Sequence, residues 1–441
     1  MNRILFQAMD VWRTSPRRKP LILQGIRQVG KTWLLKEFGG RAFDDTAYFN
    51  FENNRSLQDL FREDKNPQRL VTALGVLHGR PIQPGKTLVI FDEIQECGPA
   101  LTSLKYFRED LPDLAVACAG SLLGVALAQP GSFPVGQVDF LTLRPLVFQE
   151  FLAAAGESSL TEYLESLSSL EAIPAPLFQR LGQLFREFQV TGGMPEVVQA
   201  WVERHDSGEA DRIQDAIITS YYLDYSKHTS ASDIPKLKLI WDSLPGQLAR
   251  ENGKFLYGMV RSGARARDLE SALRWLNAAG MVHAVHRVEM PGIHLSSHQS
   301  PDHFKLYMPD VGLLRRQARV PPEILFQEAP LYREFKGALI ENLVLQELLG
   351  HGHEVTAYWS SGNTAEVDFL MMDRGRILPI EVKSGQNVRS KSLQVYRDRY
   401  QPPLALRFSL QNLHQDEGLL NIPLFLVGKL GTLLEKMDKR P

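Results

Sequence analysis

The sequence predicts an α/β chain: a parallel sheet covered by helices, then a helical stretch with a winged-helix-like piece, then a second α/β unit. Three observations predict it. From Leu21 to about Leu152, short apolar runs alternate with helical patterns, the signature of strands joined by helical crossovers. Residues 156–230 drop the strand pattern and take helical apolar spacing, ending in AIITSYYLDYSKH, which suits a bundle. Beyond residue 330 a long amphipathic helix, LYREFKGALIENLVLQELLG, precedes the strand-like runs AYWSS, EVDFLMM, ILPIEVK and LALRFSL.

At 441 residues the chain exceeds one ordinary core, since domains run to about 100–200 residues. The expected segments are 1–155, 156–234 (a lid or connector), 235–325 and 326–441. A hydrophobic fraction of 44%, a charged fraction of 23% and a net charge of -1 exclude disordered and fibrous classes. They leave partners undecided. Cys97 and Cys118 have no metal-ligand spacing and read as buried thiols in a reducing compartment. No run reaches the roughly 18 apolar residues of a membrane span, and MNRILFQAMDVWRTSPRRKP lacks a signal core, so a cytoplasmic protein without a membrane partner is expected.

The strands of the first segment are PLILQG, AYFNFEN, TLVIFDEIQ, LAVACAGS and VDFLTLRPL. Between the first strand and the helical run TWLLKEF stands GIRQVGKT, Gly25 to Thr32, a complete G-x-x-x-x-G-K-[ST] phosphate loop. Its chemistry demands these residues: glycines let backbone N–H groups turn onto phosphates, Lys31 brings a charge to the β and γ oxygens, and the Thr32 hydroxyl completes a Mg2+ shell. The following helix adds its positive end to the same anion site. Gly25, Arg27, Gln28, Val29, Gly30, Lys31, Thr32 and Trp33 are therefore the candidate ATP-binding positions. TLVIFDE ends in adjacent carboxylates, which suits Asp92 for the metal's water shell and Glu93 for orienting or deprotonating the attacking water. One strand and helix, AYFNFEN with LQDLFR, lie between the two motifs, so the Asp92 strand is not expected to neighbour the Lys31 strand directly. This arrangement resembles that of the NTPases with a catalytic glutamate; the next strand ends at Ser121, where that resemblance implies a polar sensor of the γ-phosphate and the residue alone reads equally as a helix cap.

Residues 235–290 hold three helix-like segments followed by the alternating strand MVHAVHRV, the order of a winged helix. Between residues 249 and 287 seven basic side chains oppose three acidic ones, a surplus that suits duplex phosphates or a solvated face of a protein-contact module equally.

In EVDFLMMDRGRILPIEVK, if the hairpin loop has an even number of residues centred on Arg374–Gly375, facing residues sum to 749 and Asp368 lies opposite Glu381 on one face, with Lys383 two residues on; a loop one residue longer or shorter puts Asp368 on the other face. Facing carboxylates repel in a bare sheet and coexist around a divalent cation, Mg2+ or Mn2+. Asp368, Glu381 and Lys383 match the PD-(D/E)xK nuclease motif, with carboxylates on metal and lysine on water. Val367 stands in place of the motif's proline. Glu341, in the preceding helix, is either a further acidic ligand or an ordinary helix carboxylate. The trio reads as a working nuclease site, a vestigial one, or a salt-bridged hairpin.

The runs GIRQVGKT, VIFDEIQ, AGSLLG, SFPVGQVDFLTLRPLVFQEFL and TGGMPEVV together resemble the bacterial and archaeal AAA-type ATPases that carry the carboxyl-terminal domain DUF4143. The resemblance spans nearly the whole chain. It implies an ATPase core followed by a winged-helix and nuclease-like tail, a homo-oligomer with a hexamer among the options, and DNA as partner. Some relatives place an arginine where this chain has Gln137, so no arginine finger is assigned; Arg27 either reaches a neighbour's nucleotide or is solvated. The competing expectation is a nucleotide-driven switch acting on a protein partner, with an inactive tail.

Overall fold

The computed structural model describes residues 1–120, 136–250, 252–292, 294–326, 333–362, 364–385 and 387–438. Contacts divide the chain into two compact units: Arg3–Arg144 with Ala278–Met281, and Pro145–Asn277 with Val282–Pro441 and the first two residues.

The first unit is a five-stranded parallel sheet of the P-loop type. Its strands are β1 (Leu21–Gln24), β2 (Asp45–Asn50), β3 (Thr87–Asp92), β4 (Ala115–Ala119) and β5 (Asp139–Thr142), in the order β2-β3-β4-β1-β5. Every residue of β3 and β4 is buried, as central strands covered on both faces require. β4 lies between β1 and β3; the strand bearing the phosphate loop and the strand bearing Asp92 are therefore one strand apart. On one face Phe51, Phe61 and Phe91 meet edge to face at 5.3–5.6 Å. Burying each such ring contributes roughly 1.5–3 kcal/mol, which ties β3 to the helix Arg55–Glu63. Cys97 and Cys118 are buried free thiols, and burial pushes both thiol pKa values up.

The second unit opens with helices, including Ser158–Ser166, Ala175–Thr191, Pro195–Arg204 and Ser207–His228. Three more, Ile234–Leu248, Tyr257–Val260 and Ala266–Ala278, precede the antiparallel pair β6 (His283–Val288) and β7 (Gln299–Tyr307). These two strands form no separate wing sheet. They are the edge of a mixed eight-stranded sheet completed by β8 (Val355–Ser360), β9 (Glu366–Asp373), β10 (Arg376–Val382), β11 (Ala405–Ser409), β12 (His414–Asp416) and β13 (Leu419–Pro423), ordered β12-β13-β11-β10-β9-β8-β6-β7. The helix Arg333–Gly350 precedes β8, and Lys391–Tyr400 connects β10 to its parallel neighbour β11. Trp359 and Tyr396, both buried, pack edge to face at 5.2 Å between sheet and helix. Among the described residues no helix is long and apolar enough to cross a membrane.

Candidate functional site

The phosphate loop leaves β1 through Gly25, at φ +153, where an added Cβ would lie 2.3 Å from the Leu143 carbonyl oxygen. Only glycine fits there. Gln28 takes a left-handed φ of 62 and Gly30 one of 95, turning the chain into the amino terminus of the helix Lys31–Ala42. A non-glycine residue in that region is strained, and such strain clusters at ligand sites. The Lys31 side chain is 7% exposed, and its Nζ donates to the Gly25 and Ile26 carbonyls at 2.9 Å each. Its ammonium thus lies over the loop that would hold the phosphates. Val29 is buried, Arg27 half-buried and Trp33 exposed at 41%.

Asp92 closes the site from the end of β3. Thr32 Oγ1 donates to Asp92 Oδ2 at 2.8 Å, so the two oxygen donors expected to share a cation's shell already touch. Tyr48 OH donates to the same oxygen at 2.8 Å. Burial first, and then this bond to a carboxylate, pushes the Tyr48 pKa up to about 12, which keeps it a donor at neutral pH. Tyr48 comes from β2, where Asn50 is paired in register with Asp92 and donates to the Tyr48 hydroxyl. Neither residue belongs to a motif. The signal that could have found them is positional, since polar residues ending the strand beside an acidic strand end are brought into reach by parallel pairing. Glu93 adopts a left-handed φ of 48, which turns it off the strand axis, and the Gln95 amide donates to its carboxylate. Ser121 lies outside the described residues.

The second cluster lies in the mixed sheet. β9 and β10 pair as Arg376↔Asp373 through Ile380↔Phe369, every pair summing to 749, around a two-residue loop in which Arg374 and Gly375 have φ of 47 and 79. Two left-handed residues form the hairpin turn whose twist suits paired strands. The next step of that register brings Asp368 and Glu381 together. Asp368 Oδ2 accepts the Val382 N–H at 2.7 Å; burial, then the Glu381 and Glu341 charges, holds its carboxyl well above the ordinary carboxylate range. Glu381 is 4% exposed: its Oε1 meets Lys383 Nζ at 2.5 Å, while Oε2 is buried with no hydrogen-bond partner. A buried orphan carboxylate oxygen is rare and costly. Burial lowers the Lys383 pKa, but Glu381 outweighs it and the net shift is upward.

Three residues of this cluster carry no motif. Lys305 in β7 is 2% exposed and meets Glu341 Oε1 at 3.1 Å and Glu366 Oε1 at 2.8 Å. Tyr307 OH donates to the same Glu341 oxygen. Burial would lower the Lys305 pKa, yet the surrounding acids, Glu341 foremost, lift it well above the ordinary value. Four carboxylates, Glu341, Glu366, Asp368 and Glu381, thus face two ammonium groups. Among the described residues no group of three or more His, Cys, Asp or Glu side chains is placed to hold a metal ion. A cation at either site would therefore complete its shell with hydroxyl, backbone, phosphate or water oxygens, which suits Mg2+ and its retained waters.

Three family models match the chain: an AAA domain over residues 17–152, a domain of unknown function, DUF8612, over 182–323, and a domain of unknown function, DUF4143, over 336–426. No curated protein matches it. Among solved structures it is similar to the Walker-type ATPase PABY2304 of Pyrococcus abyssi, at 15% identity over 71% of this chain and 94% of that one, with a TM-score of 0.45. It is also similar to the AMPPCP-bound DnaA from Aquifex aeolicus, at 12% identity over 62% of this chain and 86% of that one, with a TM-score of 0.28. The Aeropyrum pernix ORC1 protein in complex with DNA aligns at 12% identity over 73% and 92%, with a TM-score of 0.25. With the phosphate loop and Asp92 lying inside the first matched segment and the Asp368–Glu381 hairpin inside the last, the chain carries an AAA-type ATPase domain at its amino end and a DUF4143 domain at its carboxyl end.

Proposed function

We propose that the protein hydrolyses ATP with Mg2+ at the phosphate loop and couples turnover to DNA cleavage at the acidic cluster of the mixed sheet. The loop's N–H groups and Lys31 bind the phosphates, Thr32 and Asp92 hold the cation's shell, and Glu93, steadied by Gln95, takes the proton of the attacking water. Tyr48 fixes the Asp92 carboxylate. The observation that supports the DNA half is the orphan Glu381 Oε2, buried beside Asp368 and followed by Lys383. A divalent cation would supply electrophilic activation there, held by Glu381 and Asp368. Lys383 orients the water, whose oxygen bonds to phosphorus while the bond to one sugar oxygen breaks and that oxygen takes up a proton. The order helix Arg333–Gly350, β8, β9–β10 hairpin, helix Lys391–Tyr400, β11 is the order of a PD-(D/E)xK nuclease core and supports the same reading. We take residues 1–155 as the motor segment, 156–234 as its lid, 235–325 as a connector whose helices keep winged-helix order while its strands join the mixed sheet, and a homo-oligomer as the working state.

A second reading is favoured by one observation: Lys383 pairs with Glu381, and Lys305 bridges Glu341 and Glu366, so the cluster is partly neutralised by its own lysines. In that case ATP state switches a protein partner and the tail is inert. Wild type and Asp368→Ala incubated with single-stranded, duplex and branched DNA plus Mg2+ or Mn2+ separate the two. Cleavage by wild type alone supports the nuclease reading; no cleavage by either, with normal ATP turnover, supports the switch.

A further inference from the structure

A cavity of about 480 Å³ lies in the second unit against the helix Ala175–Thr191, within the range of small-ligand clefts. Its wall includes Ser384, the residue after Lys383, and Ile340, the residue before Glu341. It therefore adjoins the acidic cluster. Its own chemistry is opposite in sign: Arg186 and Lys336 line it, and none of its described lining residues is acidic. Neither cation has a hydrogen-bond or ion-pair partner among the described residues. Gln189 also lines it, at 3% exposure, and its amide likewise has no partner among the described residues. An amide that opens into a cavity with no protein partner keeps both its donor and its acceptor for a ligand. The apolar wall includes Phe178 and Phe425, whose rings meet at 5.2 Å.

An anion is called for by the two cations, a flat apolar group by the phenylalanines, and a polar edge by the amide. A nucleotide unit has all three. Phosphate would lie at Arg186 and Lys336, the base against the aromatic wall, where stacking tolerates any base, and the base edge at Gln189. We infer that this cavity binds one nucleotide unit, either free or as the end of a single strand, beside the acidic cluster. The inference rests on the reading of that cluster as a nucleic-acid site and names the part of the substrate it holds. In that arrangement the bound end positions the adjoining phosphodiester toward Asp368, Glu381 and Lys383.

The test measures anisotropy of a 3′-labelled, 5′-phosphorylated short oligothymidylate on the full chain in EDTA, which prevents cleavage. Every protein carries Lys31→Ala, so the phosphate loop does not compete for nucleotide. Arg186→Ala and Lys336→Ala should each weaken binding about tenfold, as loss of a charged hydrogen bond does. Gly182→Phe fills the cavity from a helix position where a new Cβ meets nothing within 4 Å, and it should abolish binding with an unchanged melting temperature. Competition by thymidine monophosphate assigns the site to free nucleotide; binding of the oligonucleotide without such competition assigns it to a strand end. Equal affinity in all four proteins, or no binding of either probe, overturns the inference. The nuclease reading is judged apart from this one, in proteins that keep Lys31, with ATP, Mg2+ and Mn2+ present: cleavage that survives Gly182→Phe but not Asp368→Ala removes the cavity's role and leaves that reading standing.

Discussion

Lys305→Met removes the one buried cation that bridges Glu341 and Glu366, at 3.1 and 2.8 Å, while keeping a side chain of similar length in β7. Four carboxylates are then left with Lys383 alone. Breaking a buried ion pair from one side costs about 3–5 kcal/mol, because the remaining charge is uncompensated. At about 2 °C per kcal/mol for a large domain, the melting temperature should fall by about 6–10 °C. The fall should depend on pH in a definite direction. Burial holds the Glu366 and Asp368 carboxyls above their ordinary values, so the folded state keeps their protons to higher pH than the unfolded chain does. Their contribution to stability is present below about pH 4 and is lost as pH rises through the folded values. Removing Lys305 raises those values further, so the variant should lose more stability at about pH 8 than at about pH 5. Mn2+ or Mg2+, entering where the positive charge was lost, should restore part of it. Thermal unfolding of both proteins followed by tryptophan fluorescence, at two pH values with and without Mn2+, gives the readout. A wild-type melting temperature in the variant, or a loss indifferent to pH and divalent cation, would refute the electrostatic account of this cluster.

Further predictions concern the ATP site. Glu93→Gln should bind ATP and hydrolyse it about 10²–10⁴-fold more slowly, the usual contribution of a general base, as measured by nucleotide binding and phosphate release on one preparation. Gly25→Ala places a Cβ 2.3 Å from the Leu143 carbonyl oxygen and should abolish ATP binding in a filter or fluorescence assay while β1 stays folded. Tyr48→Phe removes one of two donors to Asp92 Oδ2. Since partners that orient a metal ligand are worth about 10–100-fold in affinity, the Mg2+ concentration for half-maximal turnover should rise by about tenfold; an unchanged Mg2+ profile would remove Tyr48 from the site.

What was legible in the sequence was local. The phosphate loop could be read because its glycines, Lys31 and Thr32 stand at fixed spacing within a single turn between β1 and the next helix. The β9–β10 register could be read because a two-residue loop at Arg374–Gly375 fixes every pair after it, and period-2 alternation then sorts Asp368 and Glu381 from Phe369 and Ile380. β1 and β3 are one strand apart, as expected, but the strand between them is β4; the strand that lies between the motifs in sequence, β2, sits at the edge beyond β3. The missing parts are non-local. Lys305 and Tyr307 reach Glu341 across 36 and 34 residues, through a strand whose place in the sheet depends on β6 pairing in parallel with β8. No spacing rule connects them. Tyr48 was missed for the same reason, since its role exists only once β2 lies against β3. The two-stranded edge β6–β7 read as part of a winged helix because its own sequence shows alternation, not which sheet it joins.

One measurement tests coupling most directly: ATP turnover and DNA integrity followed in the same reaction, with Mg2+, with and without branched DNA, for wild type, Glu93→Gln and Asp368→Ala. The account predicts turnover that rises when DNA is added, DNA cleavage that Asp368→Ala abolishes while sparing ATP hydrolysis, and little turnover in Glu93→Gln. Turnover indifferent to DNA together with intact DNA in every reaction would contradict it.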